Sequence, residues 1–242
     1  MHSFQIKIAG ETVGIHSLFE STGYYCRNYT TAEEPAFWVT VTPEALEQEQ
    51  RLLRQDALEE GLRPRVFPDP FLERSFIQRA IADELAARNI LLFHGSAVAL
   101  DGQGYLFTAP CGTGKSTHTR LWRQVFGDRA VMINDDKPFL LFRQEEILVC
   151  GAPWSGKHGL DTNISVPLRG LCILARGSEN RVHPATPEQA QFLHSQRHHP
   201  ENPETDRLCR ELTEQLAQRI PLWYMTCTKD PEAARAAWEA MQ

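Results

Sequence analysis

The rhythm of apolar and polar positions changes several times along the chain, and each change predicts an element. Short alternating stretches, Phe4 to Ala9, Tyr24 to Tyr29 and Phe37 to Thr42, are punctuated by Gly10, Gly14 and the turn Glu33-Glu34-Pro35. A period of two predicts a small, mostly antiparallel β unit. From Pro43 to about Glu60 the pattern becomes strongly charged, with Leu46, Leu52, Leu53 and Leu58 on its more apolar side. Proline in the first turn and Gly61 after the last predict a wet-faced helix between them. Pro64, Pro68 and Pro70 then interrupt any helix and mark the expected linker. Residues 1–70 are therefore expected to form a small N-terminal α/β region that serves substrate recognition or oligomer contacts, and 71–242 a larger domain.

The larger domain opens with an amphipathic helix from about Phe71 to Arg88, apolar at Phe76, Ile77, Ile81 and Leu85. Strand-like runs follow at Ile90 to Phe93, Ser96 to Leu100 and Tyr105 to Thr108, the last two joined by Asp101-Gly102, a hairpin signal. A helix from about Lys115 to Phe126 precedes further strands at Ala130 to Ile133, Phe139 to Phe142, Ile147 to Cys150 and Leu168 to Ala175. Helices at about Pro187 to Gln196 and Glu204 to Arg219, a strand at Leu222 to Thr228 and a helix from Pro231 to Met241 complete the pattern. The expected class is α/β with α+β character, built on a mixed sheet rather than a regular βαβ repeat.

Composition narrows what such a domain does. The 242 residues suffice for one sizeable core, and 42% hydrophobic with 23% charged content is ordinary for a folded protein. A net charge of −6 disfavours non-specific nucleic-acid binding. Apolar runs such as Ile90 to Phe93 fall far short of the roughly 20 residues that span a bilayer, and the N-terminus lacks a signal-peptide pattern. A cytoplasmic protein without membrane or nucleic-acid partners is expected. The six cysteines, Cys26, Cys111, Cys150, Cys172, Cys209 and Cys227, show no C-x-x-C spacing, so neither a zinc knuckle nor a disulfide framework is suggested.

Chemistry concentrates after the strand ending at Thr108. The loop Ala109-Pro110-Cys111-Gly112-Thr113-Gly114-Lys115-Ser116, followed by Thr117, lies between an apolar strand and a helix. In a phosphate-binding loop, glycines let backbone N–H groups converge on phosphate, the lysine neutralises β/γ charge, and the next hydroxyl holds Mg²⁺. The helix dipole points its positive end at the same anion. Pro110 through Thr117 are thus the candidate nucleotide-binding residues, with ATP and Mg²⁺ as cofactors. Ala109 replaces the usual first glycine, which is acceptable where φ stays negative. Asp135-Asp136, at the end of an apolar strand, sits where phosphoryl-transfer enzymes hold Mg²⁺ and position the nucleophile; the competing reading is a solvated Asn-Asp-Asp turn. The glycine-punctuated segment Gly151 to Gly159 carries Lys157, a candidate for stabilising the transferred phosphoryl, against the reading of an ordinary surface loop. His194, His198 and His199 lack the partners of a zinc site.

His94-Gly95-Ser96-Ala97-Val98, Gly104-Tyr105-Leu106-Phe107, the loop and Asn134-Asp135-Asp136 together resemble the catalytic domain of the HPr kinase/phosphorylase family, whose nucleotide site is shared with phosphoenolpyruvate carboxykinases. The resemblance covers roughly His94 to Ala175 plus a C-terminal strand and helix; the first 70 residues match no domain of that family. It implies that Lys115 contacts the phosphates, Ser116 and Asp135 hold Mg²⁺, Asp136 is the base and His94 lies near the phosphates. It also implies homo-oligomerisation. The expected activity is a kinase passing the γ-phosphoryl of ATP to a hydroxyl, on a serine of a protein or peptide or on a small metabolite. The alternatives are a carboxykinase-like lyase and a nucleotide-binding regulator without turnover.

Overall fold

Two residues with positive φ, Ala9 at 51° and Gly10 at 88°, reverse the chain after its first strand, as a tight hairpin turn requires. They join β1 (His2–Ile8) to β2 (Glu11–Ser17) in antiparallel register. The structure, a computed structural model, describes residues 1–59, 61, 63–156 and 158–242. Chain contacts divide it into two compact units, Met1–Glu84 and Leu85–Gln242. Among the described residues no helix is long and apolar enough to cross a membrane.

In the first unit α1 (Glu20–Tyr25) and a short 3-10 turn lead to β3 (Phe37–Thr40), which pairs parallel to β2. The helices α2 (Pro43–Glu59) and α3 follow, α3 spanning Asp69–Ala86 and so running on past Glu84. Four expectations change here. Glu11–Ser17 is a full strand, because Gly14 does not interrupt it but makes room for an indole: a Cβ there would lie 2.4 Å from Trp38. The unit is only half antiparallel, since β3 runs with β2. Tyr24 to Tyr29 is helical rather than extended, with Cys26 and Tyr29 buried three residues apart while Tyr24 is exposed. The start of α1 is tied down from far along the chain, for the Glu73 carboxyl accepts from Leu18 N at 2.5 Å and from Thr22 Oγ1. Leu58, expected on the apolar side of α2, is exposed. Glu60, the expected helix end, lies outside the described residues.

In the second unit the strands β4 (Ile90–Leu92), β5 (Ser96–Leu100) and β6 (Gln103–Thr108) precede α4 (Lys115–Phe126). Asp101 and Gly102, both at positive φ, turn β5 into β6. Next come β7 (Ala130–Asn134), β8 (Phe139–Phe142), β9 (Ile147–Cys150), the long β10 (Ser165–Arg176) and β11 (Arg181–Pro184). The chain closes with α5 (Pro187–Ala190), α6 (Pro203–Arg219), β12 (Leu222–Cys227) and α7 (Glu232–Met241). Among the described residues these strands form one nine-stranded mixed sheet, with the path β4-β8-β9-β10-β6-β5-β7 and β12 joined to β10 and β11. The expected helix Pro187 to Gln196 is one α-turn, then 3-10 from Gln191 to Ser195.

Period-two alternation explains why both faces are covered. Leu106, Leu171 and Ile173 join the core cluster that includes Cys209, Leu212 and Leu216 of α6. Their neighbours Phe107, Cys172 and Leu174 join the opposite cluster with Leu121 and Trp122 of α4 and Ala233 and Ala237 of α7. A central strand apolar on both faces is the mark of a sheet buried between helical layers. Burying so many side chains on both faces fixes the strand ends from which the loops leave.

Candidate functional site

The glycine-rich loop leaves β6 at Ala109 and enters α4 at Lys115. Gly112 and Gly114 adopt φ of 74° and 127°, which side chains with a Cβ rarely reach. These turns, with Thr113 N donating to Pro110 O at 3.2 Å, curl the backbone around the start of α4. The first N–H groups of any helix lack intrahelical acceptors, so an anion-seeking helix end is built into this corner. Lys115 is buried, and its Nζ donates to Ala109 O at 2.9 Å across the mouth of the loop. From the opposite side Arg176 closes the curl: Nη2 donates to Gly112 O at 2.5 Å and Nε to Thr113 O at 3.4 Å.

Behind the loop α4 is anchored by its inward face. Thr119 Oγ1 meets Ser96 Oγ at 2.8 Å. His118 packs on Phe107 and accepts from Trp122 Nε1 at 3.2 Å, and burial drops its pKa to about 3, so it is a neutral packing residue. The outward face presents Ser116, Thr117, Arg120 and Arg123 to a cleft of about 870 Å³.

Across that cleft the acidic pair is set by Asn134. Its Oδ1 accepts from Asp136 N at 2.9 Å and Lys137 N at 2.7 Å, an Asx turn. Its Nδ2 donates to Ala152 O at 2.8 Å and Trp154 O at 3.3 Å, tying the turn to the following loop. That loop approaches closely because Gly151 has no side chain: a Cβ would fall 1.9 Å from Thr162 O. Gly156 N then donates to Asp135 Oδ1 at 2.5 Å.

The two aspartates differ sharply. Asp135 is buried, and among the described residues its Oδ2 has no partner. Burial raises its pKa, the amide of Gly156 pulls against this, and the charge of Asp136 adds to the rise. Ser116 Oγ reaches the same residue, donating to Asp135 O at 3.5 Å. Asp136 is half-exposed and 3.4 Å from His94 Nε2. Burial opposes its ionisation, but the hydrogen bond and charge of His94, helped by Lys137 and Lys115, hold its carboxyl below the usual range. His94 is itself fixed through its backbone: its N donates to Gln196 O at 2.7 Å, and its O accepts from Thr108 Oγ1 at 2.9 Å.

The structure thus places His94, Cys111, Gly112, Gly114, Lys115, Ser116, Thr117, Asp135 and Asp136 around one cleft. Pro110 and Thr113 turn toward a second hollow on the far side of the loop. Lys157 lies outside the described residues; its neighbours Gly156 and His158 line the cleft. Among the described residues no group of three His, Cys, Asp or Glu side chains forms a metal cluster. Several supporting residues carry no sequence signal of their role. Arg176 and Gln196 reach the site from distant parts of the chain, Thr108 holds His94 from the end of the strand that leads into the loop, and only the Asn-Asp-Asp string hinted at the Asn134 turn.

The fold and site define a mixed α/β domain carrying a glycine-rich strand-to-helix loop opposite an acidic turn. No protein-family model matches the chain, and no curated protein does. Among solved structures, the Hpr(Ser) kinase/phosphatase from Coxiella burnetii is similar at 11% identity and a TM-score of 0.35, over 62% of this chain and 97% of that one. So distant a likeness assigns no activity.

Proposed function

We propose that the chain is an ATP-dependent phosphotransferase with a hydroxyl acceptor. The observation that carries this reading is the buried, unpartnered Asp135 Oδ2 in the same cleft as Ser116, Lys115 and Asp136. A buried carboxylate oxygen without a donor is costly, and a cation removes that cost. Mg²⁺ suits the set, because it is usually bound by one or two carboxylates plus substrate phosphates and not by a dedicated protein cage. Asp135 and Ser116 would hold it, and it would supply neutralising charge to the phosphates when bound.

The protein's own residues do the rest. Lys115 exchanges its bond to Ala109 O for phosphate oxygens, with little movement of its buried stem. Asp136, ionised well below neutral pH, accepts the proton of the acceptor hydroxyl. The acceptor oxygen bonds to the γ-phosphorus as the bond to the β–γ bridging oxygen breaks, leaving ADP. His94 keeps Asp136 ionised and oriented and is a positioning residue in this scheme. Arg120 and Arg123, exposed on the cleft wall, favour an acceptor that carries negative charge near its hydroxyl.

Transfer of γ-labelled phosphate from ATP into a fractionated cell extract tests the reading, with Lys115→Ala as blank. Label entering an acid-stable, hydroxyl-linked product only with the unaltered chain is expected. Tight ATP binding with no acceptor labelled in any fraction would sink it.

A further inference from the structure

The loop has two sides, and only one faces the aspartates. In the sheet, β6 is flanked on one edge by β5 and β7, whose end carries Asp135 and Asp136, and on the other by β10 and β12. Against this second edge opens a hollow of about 550 Å³, lined by Ile173 to Arg176, Gln189, Phe192 and Tyr224. Cys111 and Gly112 line both this hollow and the cleft. Nothing in the phosphotransfer scheme uses it.

We propose that this hollow receives the purine base of the nucleotide whose phosphates occupy the loop, an assignment that rests on the phosphotransfer reading above. A nucleoside triphosphate is a linear chain. With its γ end at Asp136, its base leaves the loop at the opposite end, and the hollow stands there. Its volume lies within the range typical of small-molecule sites. The character of the walls agrees. The cleft is lined by Arg120, Arg123 and His158, whose charges suit phosphates, and the hollow by Ile173, Phe192 and Tyr224, whose side chains suit a base. Aromatic faces are the usual platform for a base.

That platform is already in place. Tyr224 and Phe192 both pack against the α6-side core, and Tyr224 is backed by the His183 ring at 5.4 Å. Gln189 is fixed as well: its Oε1 accepts from Thr186 N at 2.9 Å in a capping box, which leaves the amide NH₂ as a donor suited to a purine ring nitrogen. Arg176 joins the two halves, since it walls the hollow while gripping the carbonyls of Gly112 and Thr113.

Equilibrium binding of Mg-ATP and of inorganic tripolyphosphate to the full chain separates base from phosphate contacts. Tyr224→Ala is expected to weaken ATP about tenfold, in line with loss of one stacking face, and to leave tripolyphosphate unchanged. Retained tripolyphosphate affinity also shows that the variant is folded. Ala175→Phe, which fills the hollow from β10, provides a second variant with the same expected split. Equal weakening of both ligands by either folded variant, or unaltered ATP affinity in both, overturns the assignment. Lys115→Ala is expected to weaken both ligands. If it weakens both while the hollow variants change nothing, only the base assignment fails. If the unaltered chain binds neither ligand, the phosphotransfer reading fails and takes this one with it.

Discussion

Each unit of the molecule buries carboxylates, and the two units treat them oppositely. In the first, Glu73 is fully buried, with Oε1 accepting from Leu18 N and Oε2 from Thr22 Oγ1, while Phe19 N lies 3.4 Å from both oxygens. Glu49, also buried, meets Ser75 Oγ at 2.7 Å and the Arg79 guanidinium. In the second unit Asp135 is buried against one amide, that of Gly156, and among the described residues its other oxygen meets no donor. A saturated carboxylate organises the chain around it. A half-saturated one costs stability in the empty protein and recovers it when something else supplies charge, which is the signature expected of a site rather than a strut.

The sharpest test of that contrast is catalytic. Asp136→Ala removes the proposed base and is expected to lower phosphotransfer about a thousandfold, the usual scale of general-base loss, without a matching loss of ATP affinity. A variant that kept near-normal turnover would remove Asp136 from the mechanism. Next in size is Glu73→Ala, which strands part-buried N–H groups and a buried hydroxyl and is expected to cost about 3 kcal/mol by urea unfolding. Unchanged stability there would erase one side of the comparison.

Asp135→Asn is expected to move stability the other way, by about 1 kcal/mol in the nucleotide-free protein at neutral pH, with activity lost. The sign follows from linkage. The carboxyl is raised above its unfolded value near about pH 4, so the folded state holds its proton longer. Stability is therefore greatest below the unfolded pKa and falls as pH rises through the raised folded one. The asparagine variant should lose that slope. The smallest effect belongs to His94→Ala. Because His94 holds the Asp136 carboxyl low, its removal is expected to shift the acidic limb of the kcat/KM profile to higher pH. A profile that kept its position while activity fell would make His94 merely structural.

What was legible in the chain beforehand follows from distance along it. The Asp101-Gly102 hairpin, the strand-loop-helix passage through Gly112 to Lys115 and the Asn134 turn are each written in a few consecutive residues, so local rules reach them. Glu11–Ser17 was hidden because the reason for Gly14 is Trp38, which arrives from another strand. Tyr24 to Tyr29 reads as alternating, yet it lies in α1 and the 3-10 turn after it, and the start of that helix is tied down by Glu73 from far downstream. Within the site, Lys115 and the aspartates stand out by type, whereas Arg176 looks like any strand-end arginine until the fold sets it against Gly112. Residues proposed to touch a ligand advertise themselves by type; residues that hold others in place do not.

Cys111 offers a practical consequence. Of the six cysteines it alone is exposed, and it sits on the ridge between the cleft and the hollow. The unaltered sequence therefore provides one natural attachment point for a thiol-directed fluorophore, positioned to sense occupancy on either side. An electrophilic inhibitor would find there an anchor from which to grow in two directions.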